Sequence, residues 1–125
     1  MPMKRALAVM ALTVSLLGGC SGGREPSGNV SKGPSQTSDA VKLEAGDNVF
    51  APRKLIVASG EEVTVEVTNQ GRIPHDFTIE ELALSTGVLQ PGEIATASFA
   101  APEDDVDFVC TLHRGMDGKL EVATQ

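Results

Sequence analysis

Apolar and polar residues alternate along the chain in short runs. Val63, Val65 and Val67 are interleaved with Thr64, Glu66 and Thr68, the period of two that puts three valines on one face of a strand. Ser59-Gly60 before this run and Asn69-Gln70-Gly71 after it supply turn residues. The same reading predicts strands at Lys54 to Val57, after Pro52, and at Phe77 and Ile79, after Pro74. It predicts others at Ile94 to Ala100, where Ala95, Ala97 and Phe99 share a face, at Val106 to Cys110, and around Leu120 and Val122. Gln90-Pro91-Gly92-Glu93 reads as a tight turn. Glu81-Leu82-Ala83-Leu84 has helical propensity over a single turn, so Glu80 to Leu89 is expected as a loop or short helical turn. Short strands at spacings of about ten residues predict an all-β antiparallel sandwich.

The first forty residues follow another pattern. Lys4 and Arg5 precede a twelve-residue apolar-to-small run, Ala6 to Leu17. A bilayer-spanning helix needs about 20 residues, so residues 1–19 read as a cleaved export signal. Leu17-Gly18-Gly19-Cys20 resembles the bacterial lipoprotein signal, which implies a lipidated Cys20 at the start of the mature chain and a domain anchored to a membrane of the cell envelope, on the periplasmic side or the outer cell surface. From Ser21 to Asp39, 11 of 19 residues are Gly, Ser or Pro and the sole aliphatic residue is Val30. Residues 20–39 are therefore expected as a flexible tether and residues 40–125 as the folded domain.

Composition narrows the function. A chain of 125 residues is one small domain at most, which excludes a multidomain enzyme. Its formal charge of -7, with no Trp or Tyr, argues against nucleic-acid binding, which favours basic stripes and stacking rings. Without the signal, 8 basic residues face 17 acidic ones, a balance of -9. Such a charge predicts a monomer that associates with a basic docking surface at a rate that falls with ionic strength.

The strong transition-metal ligands left after the signal and the lipid are His75, Cys110, His113 and Met116. Three of them fall within Cys110-Thr111-Leu112-His113-Arg114-Gly115-Met116, short enough to wrap around one point at the end of a strand. His75, at the start of another strand, completes the set if the two strand ends are neighbours. One thiolate, two imidazoles and a thioether, with no carboxylate, favour copper over magnesium, calcium or manganese. A His₂Cys plane with a weak axial Met is the blue (type 1) copper arrangement, and it leaves no open position for a substrate. Zinc on the Cys and two His with a water is the other metal to weigh, but it leaves Met116 without a role.

These residues carry a resemblance to the cupredoxins, the small blue-copper family that includes plastocyanin, pseudoazurin and amicyanin. It covers about residues 41–123 through Phe50-Ala51-Pro52, Gly60-Glu61-Glu62-Val63-Thr64-Val65, Asn69, Pro74-His75-Asp76-Phe77, Leu89-Gln90-Pro91-Gly92-Glu93, Phe99, Phe108-Val109-Cys110, His113, Gly115-Met116 and Gly118-Lys119-Leu120. The resemblance implies a Greek-key β-sandwich of about seven to eight strands with one copper ion near one end. His75, Cys110 and His113 would bind in the plane and Met116 axially, with His113 as the electron port. The Cys-x₂-His-x₂-Met spacing is similar to that of amicyanin. Asp76 departs from the Asn that plastocyanin and its closest relatives carry after the first His; its carboxylate is expected to accept hydrogen bonds from the Thr111 hydroxyl or amide.

The function expected is that of a non-catalytic, membrane-tethered carrier of single electrons between a donor and an acceptor redox protein. Storage of copper, or its delivery to a cuproenzyme, is the alternative. A metal-free interaction module would make the four-ligand set accidental.

Overall fold

The computed structural model describes residues 28–124; residues 1–19, expected as an export signal, and Cys20 lie outside them. Ten strands follow in chain order: β1 (Gly28–Lys32), β2 (Val41–Gly46), β3 (Val49–Ala51), β4 (Lys54–Ala58), β5 (Glu62–Asn69), β6 (Thr78–Ile79), β7 (Leu84–Ser85), β8 (Ile94–Ala100), β9 (Val106–Val109) and β10 (Asp117–Ala123). One sheet has the order β1-β8-β5-β2-β3 and the other β4-β10-β9-β6-β7, facing each other as a sandwich. The stretch after β6 is a 3₁₀ turn, Glu80–Leu82, closed by Ala83 in the left-handed region.

The predicted inward faces pack as the alternation requires. In the β5–β8 pair, Val65 stands opposite Ala97 and Val67 opposite Ala95, all fully buried. Between the sheets, Phe50 of β3 meets Phe77 and Phe108 with ring centroids 6.2 and 5.3 Å away, and Phe77 lies 5.3 Å from Phe108. Each buried ring contributes about 2–3 kcal/mol. The cluster also fixes two strand ends relative to each other, because Phe77 follows His75-Asp76 and Phe108 precedes Val109-Cys110.

Two expectations need correction. The sandwich is not purely antiparallel: β2 runs parallel to β5, and β4 parallel to β10. Period-two alternation reports which face is buried and is blind to strand direction. Here the chain leaves the first sheet after β3, adds β4 to the second and returns as β5, and such a crossover brings β5 back parallel to β2.

Residues 28–35, expected within the flexible tether, belong instead to the folded domain. Gly28–Lys32 pairs along the β8 edge, and the segment after it is tied down by Gly33 N–H on Ile94 O (2.7 Å), Thr96 Oγ1 on Gly33 O (2.9 Å) and Ser35 N–H on Glu66 Oε2 (2.8 Å). Backbone hydrogen bonds to an open strand edge order a Gly/Ser-rich segment that has almost no side chains to bury. Glu66 is the anchor. It points away from the valine face of β5, yet the crossing segment leaves it only 8% exposed, and Lys42 Nζ pairs with it at 2.8 Å.

The Lys42 hydrogen bond, helped by the Ser35 N–H, holds the Glu66 carboxyl below the ordinary carboxylate range. A carboxyl with a depressed pKa stabilises the fold above its unfolded pKa of about 4.3, and that stability is lost as pH falls through the lowered value. Glu66→Gln is therefore expected to lower the melting temperature at pH 7, with the gap to the native protein closing below about pH 4. Melting curves of both proteins across pH check this; a gap independent of pH would mean that the charge of Glu66 does not secure the segment.

The two ends of the sandwich differ. The β2–β3 turn and the β5–β6, β7–β8 and β9–β10 connections gather at one end, linked by Asn69 N–H to Glu93 O (2.9 Å), Gln70 N–H to Ala45 O (2.8 Å) and Arg72 N–H to Asp47 Oδ1 (2.8 Å). The β4–β5 turn and the β8–β9 connection lie at the other, linked by Gly60 N–H to Ala101 O (3.0 Å). The described chain enters near this second end, with Gly28 opposite Phe99.

Candidate metal centre

The segment from Cys110 to Met116 closes on itself. Cys110 N–H donates to Met116 O (2.9 Å), His113 N–H to Cys110 O (3.5 Å) and Met116 N–H to His113 O (3.4 Å). Two successive turns, each closed by a hydrogen bond from residue i+3 to residue i and the second with Gly115 at positive φ, place Cys110, His113 and Met116 at their ends. The Cys-x₂-His-x₂-Met spacing thus matches the turns of the loop. Gly115, at φ +77°, makes the reversal that an L side chain would resist. Cys110 and Met116 are buried, and His113 is partly open to solvent.

The other loop brings His75 to the same place. His75 exchanges two backbone hydrogen bonds with Leu89, at 3.1 and 2.7 Å. Asn69, buried at the end of β5, donates through Nδ2 to Ile73 O (2.9 Å) and Leu89 O (2.8 Å) and accepts the Gly71 N–H at 2.9 Å. One side chain therefore stitches the β5–β6 and β7–β8 loops together around the His75 backbone.

The donor atoms converge. Cys110 Sγ lies 3.4 Å from His113 Nδ1 and 3.9 Å from His75 Nδ1, and all three atoms fall within 4.8 Å of one another. A thiolate sulfur about 2.3 Å and imidazole nitrogens about 2.0–2.1 Å from a common ion, the values for the borderline ion zinc, stand about 3.8 Å apart at a trigonal angle. The observed sulfur–nitrogen separations bracket that value, so the sulfur and each imidazole stand at ligating distances, and the three atoms need only close slightly on a common ion. Met116 is 1% exposed at the close of the same loop.

Electrostatics prepare the set for a cation. Burial, reinforced by His113, pushes the His75 imidazole below its ordinary pKa, against the pull of Asp47 and Asp76, which keeps it in the neutral, ligating form. Burial raises the Cys110 thiol, so a bound metal must displace its proton. The Asp76 N–H donates to Cys110 Sγ at 3.5 Å and favours the thiolate once formed. His75 Nε2 is buried without a hydrogen-bond partner, and Asp47 Oδ1 stands 3.9 Å away. A metal on Nδ1 fixes the proton on Nε2, facing that carboxylate.

The whole arrangement has a counterpart among known proteins: residues 8–122 match the model of the cupredoxin-like domain. The chain belongs to the cupredoxin family. It is 27% identical over 85 residues to the copper-resistant cuproprotein CopI of Pseudomonas aeruginosa, a match covering 65% of this chain and 47% of that protein, so the chain spans about half the length of this relative. Reduced auracyanin from Roseiflexus castenholzii superposes with a TM-score of 0.60 at 22% identity, over 69% of this chain and 98% of that one. A reduced amicyanin variant superposes with a TM-score of 0.63 at 20% identity, over 78% and 99% of the two chains. These likenesses show a cupredoxin fold. Family and geometry together indicate a single copper site at His75, Cys110 and His113, with Met116 nearby.

In this cupredoxin the residue after the first His does what its chemistry allows. Asp76 Oδ1 accepts the Thr111 N–H at 2.6 Å and Oδ2 accepts the Thr111 hydroxyl at 2.5 Å, joining the two ligand loops. Both oxygens act as acceptors, a role that an Asn amide can fill on one side only. Asp76→Asn is expected to retain copper and raise the reduction potential, because removing a buried negative charge beside the sulfur disfavours the more positive metal. Voltammetry checks this; an unchanged potential would show that the carboxylate has no tuning role.

Asn69 and Asp47 have site roles beyond those read from the sequence. Asn69 reads as a turn residue; its period-two register with Val63, Val65 and Val67, which puts it on their face, was the available signal. Asp47 belongs to the β2–β3 turn, and nothing local to it points toward His75.

Proposed function

We propose that this cupredoxin is a one-electron carrier of the type 1 copper class, with His75, Cys110 and His113 as in-plane ligands and Met116 as the axial one. The observation that carries this reading is the convergence of one sulfur and two Nδ1 atoms from two loops joined by the Thr78–Val109 strand pairing and by Asp76–Thr111. Copper bound there supplies a one-electron couple. The chain's own residues hold the ligands in one geometry for both oxidation states. Phe77, Phe108 and Leu89, all fully buried, keep water from Cys110 and His75, while the partly exposed His113 gives an electron its way to the surface. No further ligand-free position is offered to a substrate, which is why catalysis is not part of the reading.

We extend the proposal to the envelope. With a lipid on Cys20, eight positions ahead of Gly28, the domain hangs from the end opposite the ligand loops, and His113 faces away from the bilayer. The test of the central reading is the visible spectrum of the copper-loaded protein: one copper per chain and an intense thiolate-to-copper band that bleaches with a reductant. A Cu(II)-loaded protein that lacks this band overturns it.

The likeness to a copper-resistance cuproprotein favours a second reading, copper storage or delivery. Retention of the metal through repeated oxidation and reduction supports the carrier; rapid transfer to a metal-free acceptor supports delivery.

A further inference from the structure

Charge is unevenly distributed over this acidic domain. Among the described residues, five of the basic side chains are in ion pairs: Lys32 with Glu93, Lys42 with Glu66, Arg53 with Asp117, Lys54 with Glu121 and Lys119 with Asp107. The two others, Arg72 and Arg114, have no carboxylate partner among those residues, and both are exposed. Arg72 lies three positions before His75 and Arg114 directly follows His113. They stand on the two loops that carry the ligands.

The carboxylates nearest to them are occupied. Asp76 is buried beneath Thr111, and Asp47 accepts the Arg72 N–H and faces His75. Unpaired acids concentrate at the far end: Glu61 and Glu62 after the β4–β5 turn, Glu103, Asp104 and Asp105 in the β8–β9 connection, all exposed. Ile73, Val88 and Leu112, on the loops gathered at this end, are exposed as well.

We infer that this end is a docking surface for a redox protein whose own electron entry is ringed by carboxylates, with Arg72 and Arg114 as the contacts that select it. The inference rests on the carrier reading and names the partner's chemistry. It reverses the expectation drawn from the net charge of the chain, because a docked partner meets local charge. At about 0.1 M salt the Debye length is about 10 Å, so acids at the opposite end are screened from a reagent at His113. Arginine is suited to the task, since its planar fork binds carboxylates in pairs and releases its weak hydration readily.

The experiment uses two small oxidants, anionic hexacyanoferrate(III) and cationic tris(phenanthroline)cobalt(III), each taking one electron from the reduced protein as Cu(I) becomes Cu(II). Two variants shift net charge by equal amounts in opposite directions: Arg72→Glu/Arg114→Glu at the ligand loops and Glu103→Lys/Asp104→Lys at the far end. At about 0.1 M salt, the first is expected to slow the anionic oxidant about tenfold or more and to speed the cationic one. The second should change either rate less than about twofold. Equal and opposite effects of the two variants would mean that only net charge matters and would overturn the inference, as would no effect of the arginine variant. Failure of the carrier reading looks different: the unmodified protein then shows no band for either oxidant to restore.

Discussion

Cys110→Ser is expected to eliminate the visible charge-transfer band and to weaken copper binding by at least about a hundredfold. Loss of residues that merely orient ligands lowers metal affinity by about 10–100-fold, and loss of the anionic ligand itself should exceed that. A serine hydroxyl stays protonated at neutral pH and is a hard, neutral donor, poorly matched to Cu(I). The oxygen is also smaller than sulfur, so the separations of 3.4 and 3.9 Å to the two Nδ1 atoms lengthen.

The same substitution should leave the fold nearly intact. The loop is closed by the backbone bond from Cys110 N–H to Met116 O, which serine keeps. Burying a hydroxyl without a full complement of partners costs about 1–3 kcal/mol. Absorption spectra and copper stoichiometry, taken with an unfolding curve on the same sample, separate loss of the centre from loss of the structure. A variant that keeps the intense band would show that Cys110 is not the ligand.

How much of this centre was legible beforehand follows from what each residue reveals locally. Cys110, His113 and Met116 announced themselves because their spacing is also the geometry: each step of three residues is one turn of the loop. His75 could be paired with them through scarcity, since no other His competes for the role. Asp76–Thr111 was reachable from the acceptor chemistry of a carboxylate. The residues that needed the fold were those whose partners are distant in sequence. Glu66 reads as an ordinary outward position of an alternating strand, and only the crossing of Gly33 to Ser35 over β5 makes it a buried anchor. β1 was hidden for a related reason: its order comes from the open edge of β8, whereas Gly, Asn and Ser themselves offer little to bury. The three-residue β3 and two-residue β7 carried too few alternating positions to register as strands, whereas β2 does alternate, Val41, Leu43 and Ala45 against Lys42 and Glu44, and was there to be read.

Arg72 and Arg114 show the limit of composition. A balance of -9, counted without residues 1–19, is a poor guide to the surface at His113. Ion pairing removes five cations from consideration, and the fold carries the acidic β4–β5 and β8–β9 segments to the end away from the ligands. What a partner meets is decided by topology.

Gly118→Ala is expected to destabilise the domain by about 3 kcal/mol, the upper part of the range for overpacking a filled core. A Cβ at this position would overlap Cζ and Cε2 of Phe108 and stand 2.7 Å from Arg53 O. Neither neighbour can yield cheaply. Phe108 is fully buried and held between Phe50 and Phe77, and Arg53 O accepts the Lys119 N–H at 2.8 Å in the β4–β10 ladder. The penalty is steric, because Gly118 is not among the glycines in the left-handed region. For a domain of this size about 3 kcal/mol lowers the melting temperature by roughly 12–24 °C. The effect should reach the metal site, since Phe108 stands two positions before Cys110 and Gly118 two positions after Met116. A ring forced aside moves both ends of the ligand loop, and a shifted copper band is expected with the lowered melting temperature. The double variant Gly118→Ala/Phe108→Leu supplies the control: a smaller side chain at 108 gives the methyl room and should recover part of the lost stability relative to Phe108→Leu alone. An unchanged melting temperature in Gly118→Ala would show that β10 can move away from Phe108, and that the closeness of strand and ring is not what holds the ligand loop.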